Sequence, residues 1–189
     1  MGFTLYMLRE QIHNFLITED SVNKCDHLVV ENWTGSVTMF KEANKVADRI
    51  GSTSIGTIYE QDKLLKTRSR TRFLRRIASI GIDTTRLILI PVTTESPRTL
   101  NNARAVIETA RREGWKEFVL VTHALHSARS KEIYSLVARK YNIRVYVITV
   151  PFRGVTAKNW FTTPRGWLMA FIQMGKKIYY LLFVQRYIK

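Results

Sequence analysis

The feature that most constrains this chain is a repeated alternation of short apolar runs with stretches of helical length and period. His27–Glu31, Leu87–Pro91, Phe118–Thr122 and Val145–Val150 are rich in Val, Ile or Leu and do not alternate polar with apolar. A strand covered on both faces reads this way. Ser54–Tyr59 is a weaker fifth. Between the runs, apolar residues recur at steps of three and four, as on one face of a helix. Phe40, Ala43, Val46, Ala47 and Ile50 form one such stripe, and Leu100, Ala103, Val106, Ile107 and Ala110 form another. Leu64, Leu65, Phe73, Leu74, Ile77 and Ile80 repeat it less cleanly. Strand and helix in alternation make βαβ units, so the expected class is α/β, with a mostly parallel five-stranded sheet and helices on both faces.

No linker rich in Pro, Gly or Ser breaks the pattern, and 189 residues suit one domain. One domain over 1–189 is therefore expected, with 1–25 as an N-terminal helix and lead-in and 160–189 as an aromatic closing helix. Cys25 is the only cysteine, which excludes an internal disulfide and a multi-cysteine metal cage. It stands just before an apolar strand and reads as a small buried filler. Residues 1–17 mix charged and polar residues among apolar ones, so no signal peptide is expected. Gly2 is followed by Tyr6 where a myristoylation signal needs Ser or Thr. No run of about 18 apolar residues suggests a membrane span, so a cytoplasmic protein is expected, with peripheral membrane contact as an option.

In an open parallel sheet the loops leaving the carboxyl ends of the strands line the ligand crevice. Two of these loops carry chemistry. After Pro91 the chain reads Val92-Thr93-Thr94-Glu95-Ser96-Pro97-Arg98-Thr99-Leu100-Asn101-Asn102. Ser96 is expected to cap a helix whose first residue is Pro97, and Gly114 to close it. Glu95 then stands at the helix mouth, and Thr99 and Asn102 share a face of its first turns. Such an N-terminus suits a phosphate or another anion, and Arg98 adds a charge-assisted contact. After Thr122 the chain reads His123-Ala124-Leu125-His126-Ser127-Ala128-Arg129. His126 and Arg129 project together from a first helical turn, one able to exchange a proton near neutral pH, the other to fork onto a phosphate. His123 and His126 without a third ligand do not make a metal site, and none is assigned.

The second run resembles the "V-T-S-x-x-H-x-x-R-A" signature of the bacterial YdcF-like family, which includes SanA- and ElyC-type envelope proteins. Glu95, Thr99, Asn102 and Ala103 are similar to that family's "E-x-x-S/T-x-x-N-A" helix start. Phe15-Leu16 through Asp26 and Val29-Val30 resembles its lead into the first strand, and Trp160 through Tyr180 its closing aromatic element. The resemblance implies a three-layer Rossmann-like fold, an association with the cell envelope, and a nucleotide-like ligand. It places Glu95, Thr99, Asn102, Thr122, His126 and Arg129 around a pocket, with His126 as general acid/base and Glu95 as the second catalytic candidate. A nucleotide and S-adenosylmethionine are the ligands or cofactors it suggests. The chain departs from the family where glycine-rich turns follow the first two strands: here stand Glu31-Asn32-Trp33-Thr34-Gly35 and Tyr59-Glu60-Gln61-Asp62.

A formal net charge of +15 and a pI near 10.2 favour anionic partners. An anionic small molecule is the leading expectation, and an anionic membrane surface the alternative, for a non-catalytic scaffold using its basic faces. Nucleic acid comes third. Lys63, Lys66, Arg68, Arg70, Arg72, Arg75 and Arg76 crowd one segment, but only Phe73 interleaves with them, so base stacking has little support. The tail from Trp160 combines aromatics with Lys176, Lys177, Arg186 and Lys189, as a helix does that docks on the sheet or lies in a membrane interface.

Overall fold

A computed structural model describes residues 2–31, 37–60, 66–92 and 95–185. Five strands, β1 (His27–Val30), β2 (Ser54–Glu60), β3 (Leu87–Val92), β4 (Glu117–His123) and β5 (Arg144–Val150), form one parallel sheet in the order β3-β2-β1-β4-β5. Among the described residues six α-helices accompany them: α1 (Gly2–Leu16), α2 (Val37–Arg49), α3 (Lys66–Ala78), α4 (Arg98–Arg112), α5 (Ala124–Arg139) and α6 (Pro164–Tyr179). The order follows from one rule. Right-handed crossovers from β1 to β2 to β3 step one way across the sheet with their helices on one face, so the return step to β4 must place its helix on the other. The chain obeys it. Leu28, Val30, Ile55, Val119 and Val121 pack with α2 and α3, while Val29, Ile58, Phe118 and Leu120 pack with α4 and α5. This is a three-layer, Rossmann-like fold.

The reversal of direction lies between β1 and β4, where ligands of such folds bind. Val30 pairs with Val121, so the next residues, Glu31 and Thr122, emerge side by side at that switch point. Strand pleating puts Glu31 on the same face as Val29, towards α5.

The chain leading from α1 into the sheet protects an edge. Asp20 N–H donates to Val147 O and Asp20 Oδ2 accepts from Val147 N, both at 2.8 Å, while Glu19 Oε1 accepts from Thr149 N. Polar groups that β5 leaves unpaired are thereby satisfied. Cys25 is buried as expected, and burial pushes its thiol above the ordinary range. Past β5, α1 and α6 pack together beside the start of α5. Their shared apolar cluster includes Leu16, Leu125, Trp160 and Ala170. A π-helical turn, Tyr180–Val184, then tucks Tyr180 and Val184 into the α4/α5 core.

The start of α4 differs from expectation. Pro97 is the N-cap and the helix begins at Arg98; among the described residues no side-chain cap is seen. The carbonyl of Pro97 accepts from Leu100 N and Asn101 N at 3.1 Å, which closes the first turn. The Ser96–Pro97 peptide is cis. Gly114 closes the helix as expected, at φ +74°, a conformation that glycine adopts without strain.

Candidate functional site

The site begins with a buried carboxylate. Glu31 is fully buried at the carboxyl end of the central strand. The Oγ of Ser130 donates to Glu31 Oε2 at 2.6 Å, and Nε2 of His126 lies 3.5 Å from the same oxygen. His126 and Ser130 are four apart on α5, so they share the helix face turned to the sheet. Tyr134, four further on, is also buried there. Thr122 Oγ1 and Tyr134 OH border the carboxylate without completing a hydrogen bond of ordinary geometry. Burial alone pushes the Glu31 carboxyl up, but the His126 ring and the hydroxyls outweigh it and hold the carboxyl below the usual range. Burial, and then Glu31, drive the Tyr134 phenol the other way, well above its usual value.

Arg129 links this buried group to the surface. Its Nη2 lies 2.8 Å from Nδ1 of His126 and donates to Oε1 of Gln173 on α6 at 3.1 Å. A guanidinium only donates, so Nδ1 accepts and the ring proton sits on Nε2, facing Glu31. The imidazole thus connects a carboxylate to a guanidinium, with both ring nitrogens engaged. Burial holds the Arg129 guanidinium below its usual range, and Glu31 opposes that shift. Its Nε is buried and has no hydrogen-bond partner among the described residues.

Arg129 opens into a cleft of about 290 Å³ between the start of α4 and the α6 end of the chain. Arg98, Thr99, Lys176, Tyr179 and Tyr180 help to line it. Partial burial and then the nearby Arg129 guanidinium hold the Lys176 ammonium below its ordinary range. His123 lies well below its own range, through burial first and then through its neighbours His126, Arg129 and Lys176. Arg98, Arg129 and Lys176 thus gather positive charge at the cleft; Glu31 opposes Arg129 from behind the protein wall, and Glu132 pairs with the neighbouring Lys177.

The residues expected from the sequence divide into three groups. Arg98, Thr99 and Arg129 meet around the cleft. Thr122 and His126 lie buried behind Arg129, and Asn102 is buried on α4. Glu95 is exposed ahead of α4, where its carbonyl oxygen accepts from Asn101 Nδ2 at 3.0 Å. The imidazoles of His123 and His126 stack at 5.4 Å between centroids, and no group of three or more His, Cys, Asp or Glu positioned to hold a metal is found among the described residues. Sequence reasoning missed Glu31, Ser130, Gln173 and Lys176. Ser130 and Tyr134 were readable as the polar continuation of His126 at four-residue steps, and Glu31 as a lone carboxylate extending an apolar strand.

The turn residues 32–35 and 61–62, where glycines were expected from the resemblance, lie outside the described residues. So does Lys63 of the basic segment. On α3, Arg70, Arg72, Arg75 and Arg76 are exposed, while Phe73 packs inward against Phe40 and Tyr59. No protein-family model and no curated protein matches this chain.

Proposed function

We propose that this is a YdcF-like protein that binds an anionic, phosphate-bearing ligand of nucleotide-like character in the cleft between α4 and α6, in cell-envelope-related metabolism. One observation carries the reading. Arg129 is anchored through His126 to the buried Glu31 at the sheet's switch point, and it faces the cleft beside Lys176 with its Nε unpartnered. Two crowded cations whose charged forms are already disfavoured gain from an anion between them. Thr99 and the first amides of α4 add neutral donors on the opposite wall. The reading is one of binding. Proton transfer at His126 requires Arg129 to leave Nδ1 first.

Thermal unfolding with inorganic phosphate, pyrophosphate, nucleotides and S-adenosylmethionine, each against chloride at matched ionic strength, tests it. Phosphate-bearing ligands should raise the melting temperature beyond chloride, and Lys176→Gln should weaken that effect about tenfold, as loss of one charge-assisted contact does. Arg129→Lys, which keeps the charge but loses the fork, should weaken it further. Equal stabilisation by phosphate and chloride would remove the proposal.

A further inference from the structure

Helix α6 is buried on one face and bare on the opposite one. Gly166, Ala170 and Gln173, with Tyr180 beyond the helix end, face inward and are buried. On the far side Leu168 is 62% exposed, Phe171 54%, Tyr179 58%, Leu182 53% and Phe183 55%, with Ile172 and Ile178 close behind. Steps of three and four within each group, and of seven between them across Gly175, put these on one face along α6 and the π-helical turn. Lys176 and Lys177 are the only charged residues between Trp167 and Val184. Lys177 points inward, donating to Phe15 O at 2.7 Å, and Lys176 borders the anion cleft. A stripe of large apolar side chains left in water marks an interaction surface.

Charge indicates what covers it. From Pro151 to Lys189, the stretch that contains α6, the sequence holds seven Lys or Arg and not one Asp or Glu. A second copy of the chain would bring two such surfaces together, like charge against like. An anionic lipid surface instead takes the apolar side chains into the acyl boundary while its headgroups meet the cations. No helix among the described residues is long and apolar enough to cross a membrane, so α6 fits the plane of the interface. We infer that α6 and the turn after it seat this protein on an anionic bilayer, with the bare stripe inserted. Tyr179 lies both on the stripe and on the cleft wall, so the cleft opens at the lipid surface. The inference stands apart from what the cleft binds, because the stripe residues chosen for testing do not line it.

Flotation of the full chain with phosphatidylcholine vesicles, with and without phosphatidylglycerol, tests the seating. The protein should float with the anionic vesicles at low salt and bind pure phosphatidylcholine at least tenfold more weakly. Phe171→Ser with Leu182→Ser removes two large side chains at exposed positions, so the variant should keep its circular dichroism and melting temperature. It should lose about tenfold in vesicle affinity for each side chain, while stabilisation by soluble phosphate stays unchanged. The inference falls if wild-type protein fails to float with anionic vesicles at low salt, or if the double variant floats equally well. It falls also if light scattering finds a dimer that the double variant dissolves and that ignores vesicles, since a second copy would then cover the stripe.

Discussion

Glu31 occupies the least hospitable place for a charge in this fold, the centre of the sheet with no access to water. Its cost is offset locally: one short bond from Ser130, the ring of His126, and through that ring the Arg129 guanidinium. Removing one member therefore strands the others. Glu31→Gln keeps the shape and deletes the charge, leaving Arg129 without its counter-charge. We expect it to destabilise the fold by roughly 3 kcal/mol in urea titrations, and Arg129→Leu to cost less in that background than alone. The pH dependence has a definite sign. The folded carboxyl lies below its ordinary value of 4.5, so its contribution is complete above that value and is lost as pH falls through the folded pKa. Wild type should lose stability in acid over that window, and Glu31→Gln should lose less. Equal acid sensitivity in the two proteins would mean that Glu31 is not ionised in the fold.

At the scale of elements, periodicity carried most of the fold. All five strands lie where apolar runs placed them, because burial on both faces leaves a strong signature in composition. Helix starts were less legible. Ser96 followed by Pro97 reads as cap and first helical residue, yet Pro97 itself is the cap and the helix begins one residue later; the pair alone does not reveal the path of the loop before it. The cleft was half legible for a related reason. Its α4 and α5 walls follow the strand-end rule, whereas Gln173 and Lys176 come from α6, whose docking depends on contacts between distant parts of the chain. Gly166 sets that docking: a Cβ there would lie 1.7 Å from the carbonyl oxygen of Trp160, a backbone atom held in a buried turn. Gly166→Ala should therefore push α6 outward and cost about 2 kcal/mol or more. Because Gln173 and Lys176 move with the helix, the same variant should weaken phosphate binding measured by calorimetry below its melting temperature. Unchanged stability would show that the turn yields without moving α6.

For the whole molecule, charge distribution matters more than its sum. The first 132 residues hold 20 Lys or Arg against 15 Asp or Glu; the last 57 hold ten against none. Two thirds of the net charge of +15 thus falls on the chain from the second half of α5 onward. That part of the chain includes α6 and the turn after it, which help to line the cleft and carry the bare stripe. Like charges held together on folding repel, and the repulsion weakens as salt shortens the screening length from about 30 Å at 0.01 M to about 10 Å at 0.1 M. Raising sodium chloride across that range should therefore stabilise the fold by roughly 1 kcal/mol, measured by urea titration. The same salt should weaken phosphate binding in the cleft and attachment to anionic vesicles, since both depend on unscreened attraction. Opposite responses of stability and binding are what a cation-rich end built to meet an anion requires. Were stability also to fall with salt, the cations would already be balanced within the fold, and neither the cleft nor the stripe would need an external anion.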